Sequence, residues 1–256
     1  MDMINVFKKG LPIFDLFDEL GEEPRISDID LAFNHTDINL ELLNFLQYEV
    51  LPDYVRNVDK SHSVEHILDV VKNSLTITEK LKENKDIAIT AAIYHDIGRV
   101  YDMDFNKNFL LSFSTIINDS DLLLDCGLLE DEILSASDAI VELSPSSDKT
   151  NIYSKILSDA DKISEIINPD YIIKRYCNYV ISHYTYEPLD KLIDRLYTII
   201  HNRYKAGNIG HIYYTDIGKQ IYEKNIKSVL KITNDKKVFL NRLAKLVEKE
   251  NKKARG

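Results

Sequence analysis

His62 and His66 stand four residues apart in SHSVEH, a spacing that brings two imidazoles onto one helix face about one turn from each other. Such a pair offers nitrogen donors to a cation, although a zinc site built on it still needs third and fourth ligands. A second candidate is the adjoining pair His95-Asp96, which closes the almost wholly apolar run AITAAIYHDIG. An ionisable pair in that setting is costly to bury uncompensated, so either a cation meets it or it borders the helix end in water, with Gly98 ending the helix. The third candidate is ILSDADKI, residues 156–163, where Asp159 and Asp161 lie two apart and leave one helix in different directions. At most one of these acids shares a site with the histidines, while the other faces solvent or supports a ligand.

A histidine, an adjoining His-Asp pair and a distant aspartate together supply neutral nitrogen and carboxylate oxygen to one cation. That mix suits Mn, Fe, Ni, Zn and, less well, Mg. Four such ligands leave positions open on a six-coordinate ion, as a metal needs in order to activate water or hold a phosphoryl oxygen.

The elements that must position these groups are helical. Only 8 Gly and 6 Pro interrupt a chain rich in Leu, Ile, Lys, Glu and Asp, which predicts an all-α fold with short loops. From Ser63 to Leu81 the apolar residues recur at three- and four-residue spacing, giving one buried helical face. Residues 87–97 are apolar on nearly every side and predict a helix at the centre of a bundle. Further helices are expected over 108–125, 130–142, 152–167, 170–186, 189–205 and 215–250. The loop LSPSSDKT precedes the third of the chemistry-bearing segments, Pro169 interrupts the chain after it, and KAGNIG forms a turn. Residues 1–36, with weaker periodicity, read as a loosely attached N-terminal segment. Residues 37–256 read as one helical domain with a C-terminal helical extension.

Composition narrows the function. A formal charge of -10, from 42 acidic and 32 basic residues, repels the phosphate backbone of a long nucleic acid, whereas a bound cation and a few basic groups can still attract a small anion into one pocket. Two cysteines, Cys126 and Cys177, lie far apart and outside any CxxC pair, which fits ordinary thiols in a reducing cytoplasm. The N-terminus has acidic residues within its apolar part, unlike a secretory signal, and no apolar run approaches a membrane span. A soluble cytoplasmic protein is expected, with assembly into a homo-oligomer left open. The lysine-rich KLVEKENKKARG reads as a solvated helix end, and Tyr171, Tyr176, Tyr179, Tyr184 and Tyr186 as amphipathic helix residues.

In their order, His66, His95-Asp96 and Asp161 resemble the H…HD…D signature of the HD-domain superfamily, metal-dependent phosphohydrolases with an all-helical bundle fold. The resemblance covers roughly residues 45–180 and is closest to small stand-alone bacterial members. It implies one divalent cation held by His66, His95, Asp96 and Asp161, with His62 matching a frequent additional site histidine. The alanine-aspartate step of the family falls on Ala160-Asp161, which favours Asp161 over Asp159. The implied chemistry is hydrolysis of a small phosphoester, with a nucleotide as the expected substrate. His62 is then the general acid, and Arg99 and Lys162 neutralise phosphate oxygens. The chain departs from many relatives in carrying no histidine from Asp96 to Ser182; the stretches NFLLS and VELSPSS stand where extra histidines occur. This argues for one metal rather than two. It also keeps open a catalytically weakened domain that senses a nucleotide or partner, beside a third reading as a structural zinc protein.

Overall fold

The computed structural model describes residues 26–55, 62–102, 105–144, 147–166, 169–184, 186–205 and 213–253. Most of the proposed N-terminal segment and most of KAGNIG lie outside the described residues. Every helix or strand found among the described residues is helical, so the fold is all-α. The chain divides into two compact units, one within Glu23–Ser164 and Ile212–Ile221, the other within Glu165–His211 and Tyr222–Gly256. The division at Ser164 falls inside the stretch that the sequence reads as a single domain.

In the first unit, α1 (Leu40–Phe45) opens on Asn39, whose side chain accepts from the backbone N–H groups of Glu41 and Leu42. A π-helical turn follows at Leu46–Val50, and then α2 (Leu51–Val55). Pro52 has no N–H to give, and the turn before it widens, with Leu51 N–H donating to Leu46 O. The long helix α3 (Val64–Leu81) buries the predicted apolar face and ends at Lys82, whose φ of 61° places it in the left-handed region. Asn84 caps α4 (Lys85–Tyr94), in which every residue from Ile87 to Tyr94 is buried. This helix packs against α3, against α6 (Phe105–Asn118), α8 (Glu130–Val141) and α9 (Ile152–Ser164), and so occupies the central place its composition predicts. Its C-terminal carbonyls need outside donors. The Tyr54 hydroxyl donates to Ile93 O, and the turn His95–Ile97 leads into the short α5 (Gly98–Tyr101).

In the second unit, Pro169 opens α10 (Pro169–Tyr184), a first-turn position where a missing N–H is harmless. With α11 (Leu189–Tyr204), the part of α12 (Asp216–Thr233) from Tyr222 onward, and α13 (Lys236–Lys253) it encloses a core that includes Ile173, Leu196, Ile200, Val229 and Phe239.

Three expectations are corrected. The helix predicted over 108–125 is broken at Asp119, which separates α6 from α7 (Ser120–Asp125) and accepts the Tyr94 hydroxyl at 2.7 Å. The helix predicted over 215–250 is two helices. Asp235 ends the continuity because its Oδ1 accepts from Lys237 N and Val238 N, an N-cap that competes with a continuing helix. Gly98 does not end α4 but opens α5, and it is glycine for packing: a Cβ there would stand 2.4 Å from Asn108 O.

The Asp235 cap yields a stability test. Asp235→Ala is expected to lower unfolding stability by about 1 kcal/mol, read as a lower denaturant midpoint with an unchanged m-value; an unaltered midpoint would show that the cap contributes nothing.

Candidate metal centre

Three helices fix the four predicted ligands. His66 lies on the buried face of α3, where Ile67, Val70 and Val71 lock the helix into the core. His95 and Asp96 follow the last turn of α4, and Asp161 sits near the end of α9. In the folded protein His66, His95 and Asp96 are buried, and each offers one ligand atom within 4.8 Å of the others'. The centre of the arrangement is Asp96 Oδ2. It lies 3.3 Å from His95 Nε2, 3.6 Å from His66 Nε2 and 3.7 Å from His62 Nε2.

Hydrogen bonds at the far side of each ring decide what those nitrogens carry. His95 Nδ1 lies 2.7 Å from the carbonyl oxygen of Ala92. A carbonyl only accepts, so Nδ1 holds the proton and Nε2 presents a lone pair. His66 Nδ1 lies 3.2 Å from Ser164 Oγ, and that hydroxyl already donates its single hydrogen to Asp161 O at 2.6 Å. Ser164 therefore accepts from His66, and His66 Nε2 likewise faces Asp96 as a lone pair in the neutral ring. His95 Nε2 is buried and makes no hydrogen bond among the described residues. Two imidazole lone pairs facing one carboxylate oxygen repel unless a proton or a cation lies between them.

Electrostatics agree. Burial alone lowers the His95 pKa, but the facing Asp96 carboxylate outweighs it and raises the value above that of an ordinary imidazole. Burial likewise raises Asp96, yet His95, His62 and His66 hold its carboxyl well below the usual range. Asp161 follows the same pattern: desolvation is overcome by Lys162, His66 and His95, and the pKa falls. Asp161 Oδ1 stands 3.4 Å from His66 Nε2 and its Oδ2 stands 3.2 Å from Lys162 Nζ. It thus borders the three-residue group through His66.

The second acid of ILSDADKI has another duty. Asp159 is fully buried, and its carboxylate accepts from Tyr214 N, Thr215 N and Thr215 Oγ1 at 2.7 to 3.0 Å. It anchors the chain at the start of α12, and so is not the solvent-facing alternative weighed from sequence. Arg99 is also buried, with Nε 3.6 Å from Asp96 Oδ1, whereas Lys162 is about a third exposed at the edge of the group.

Three further residues, not apparent as site residues from the sequence, organise the centre. Asn108 Nδ2 donates to Asp96 Oδ1 at 2.9 Å and to His95 O at 3.2 Å. Ser112, one turn later on α6, donates to His95 O and accepts from Gly98 N. Both belong to NFLLS, and their four-residue spacing on one face was the available signal. Ser164 is the third. The other stretch lacking histidine serves loop closure, since Glu142 accepts from Thr150 and Asn151 backbone N–H groups.

Because Asn108 aligns Asp96 from behind, Asn108→Ala is expected to weaken divalent-metal affinity by roughly 10- to 100-fold with the helical fold retained. A metal titration showing wild-type affinity would contradict that role. Metal must also displace a proton held more tightly than on an ordinary imidazole, so affinity is expected to fall as pH drops through the His95 titration. A flat affinity from neutral to mildly acid pH would be the contrary result.

The comparisons with known proteins fit this geometry. The HD domain family model matches residues 63–166, a span that holds His66, His95, Asp96 and Asp161. No curated protein and no solved structure matches the chain. With the family's motif matched in sequence and its first histidine brought against the His-Asp pair in the fold, residues 63–166 form a segment that matches the HD domain.

Proposed function

We propose that this chain is a metal-dependent phosphohydrolase acting on a small phosphoester, with a nucleotide as the expected substrate class. The observation that carries the reading is the convergence of imidazole Nε2 atoms on Asp96 Oδ2, with the Nδ1 hydrogens of His66 and His95 held by Ser164 and Ala92. Neutral nitrogen and carboxylate oxygen fit Mn, Fe, Ni, Zn or Mg, so His66, His95 and Asp96 are assigned as ligands, with Asp161 completing the set. When bound, a divalent cation supplies Lewis-acid polarisation of a phosphoryl oxygen and lowers the pKa of water.

The remaining residues divide the other tasks. His62 is partly open to solvent while its Nε2 faces Asp96 Oδ2, which suits an imidazole that passes a proton to the leaving oxygen. Lys162, at the exposed edge beside Asp161, is assigned to phosphate oxygens. Arg99 is reassigned. Its burial against Asp96 Oδ1 favours holding the carboxylate in place over reaching a substrate. The acidic surface of the chain argues against a long nucleic acid as substrate.

A catalytically weakened sensor of a nucleotide or partner is the second reading. It is favoured by Asn108, which stands in one of the stretches where many relatives carry a further histidine and which holds Asp96. One experiment separates the two: phosphate and pyrophosphate release from a nucleotide and phosphoester panel, with each of the five metals added to metal-stripped protein. The hydrolase reading expects metal-dependent turnover that Asp96→Ala abolishes together with metal binding. His62→Asn is expected to keep bound metal and lose roughly 100-fold or more in turnover. Tight nucleotide binding without turnover at any metal would transfer the assignment to the sensor.

A further inference from the structure

The second unit contains a cavity of about 750 Å³ with no residue of the metal centre in its walls. Its size lies within the range of small-molecule sites, roughly 300 to 1,000 Å³. One wall is a single face of α13, where Arg242, Lys245 and Lys249 follow at three- and four-residue spacing, and Lys231 of α12 adds a fourth cation. The only acid in the lining is Asp170, whose Oδ1 is already taken by Arg242 Nε at 2.7 Å. Lys231, Lys245 and Lys249 form no ion pair among the described residues.

This is a local reversal of sign on a chain with a formal charge of -10. Like charges at three- and four-residue spacing destabilise a helix by mutual repulsion, and no acid lining the cavity is interleaved along this face of α13. An anion seated among the ammonium groups would remove that repulsion. Between the cations the lining is apolar: Ile232 and Leu246 are buried core residues and Val238 is half-buried, so a fully hydrated inorganic ion would leave part of the cavity unmatched. The Asn241 amide, also in the wall, supplies both a donor and an acceptor.

We infer that this cavity is a second ligand site, for a small organic phosphate with a planar apolar body, a nucleotide. Its phosphates meet Lys231, Lys245 and Lys249 as point charges, its base lies over Ile232, Val238 and Leu246, and Asn241 reads an edge of that base. The site is independent of turnover at the metal centre, and the lysine-rich end of the chain, which reads from sequence as a merely solvated helix, supplies part of it.

The test is fluorescence titration of the full chain with trinitrophenyl-ATP in the presence of EDTA, so that no divalent ion bridges the phosphates to the histidines. Saturable one-to-one binding is expected, weakening as salt is raised. Lys231→Glu with Lys245→Glu is expected to weaken it by about tenfold or more. The paired Lys→Gln variant gives a smaller loss in the same direction, and it decides the matter should the charge-reversed protein fail to fold. Asp96→Ala is expected to bind as the unaltered chain does, whatever becomes of turnover. Unchanged affinity in the lysine variants, loss of binding in Asp96→Ala, or tripolyphosphate competing as strongly as ATP would each overturn the assignment.

Discussion

Lone pairs on two neutral imidazoles and a carboxylate oxygen cannot occupy one buried pocket at 3.3 to 3.6 Å without something positive among them. The first unit is organised around that constraint. The same constraint shows in the titration: burial lowers the His95 pKa yet the Asp96 carboxylate raises it, and burial raises the Asp96 pKa yet the facing histidines hold it low. A divalent cation would answer the constraint for all three groups at once, instead of one nitrogen at a time.

The surroundings make this arrangement rigid rather than adaptive. Ala92 O and Ser164 Oγ each fix a ring and its tautomer from the outer side, and Asn108 fixes the outer oxygen of Asp96. Gly98 lets α6 approach closely enough for Asn108 and Ser112 to reach the backbone of the His-Asp turn. Asp159 then ties α9 to the start of α12, so that the helix carrying Asp161 is held at both its sides: by α3 through packing and by Thr215 through hydrogen bonds. Positioning of this kind is what a reaction at phosphorus requires, because orientation and electrostatic stabilisation carry most of its catalysis.

Much of this is legible in the residues. His95-Asp96 stands out because ionisable groups rarely close a run as apolar as AITAAIY, and the all-round burial of Ile87 to Tyr94 bears that out. The periodicity of α3 places its buried face correctly. What the sequence hides is long-range. Asp159 and Asp161 are chemically identical side chains two residues apart, and hydrogen bonds to residues 55 and 56 positions away separate their duties. Asn108 acts through a turn twelve residues before it, and its four-residue spacing from Ser112 marks a shared face but not the contact that face makes. The break at Asp235 was readable in principle, since Asn234-Asp235 is a capping signal, but the apolar period continues across it and obscures the stop. The division after Ser164 has no linker of glycine, serine or proline to reveal it.

X-ray absorption spectroscopy of the chain loaded with one equivalent of zinc or manganese addresses the central claim most directly. The expected first shell holds nitrogen and oxygen only, with outer-shell scattering from two imidazoles, His66 and His95. Sulfur in the first shell, or fewer than two imidazoles around the ion, would contradict it.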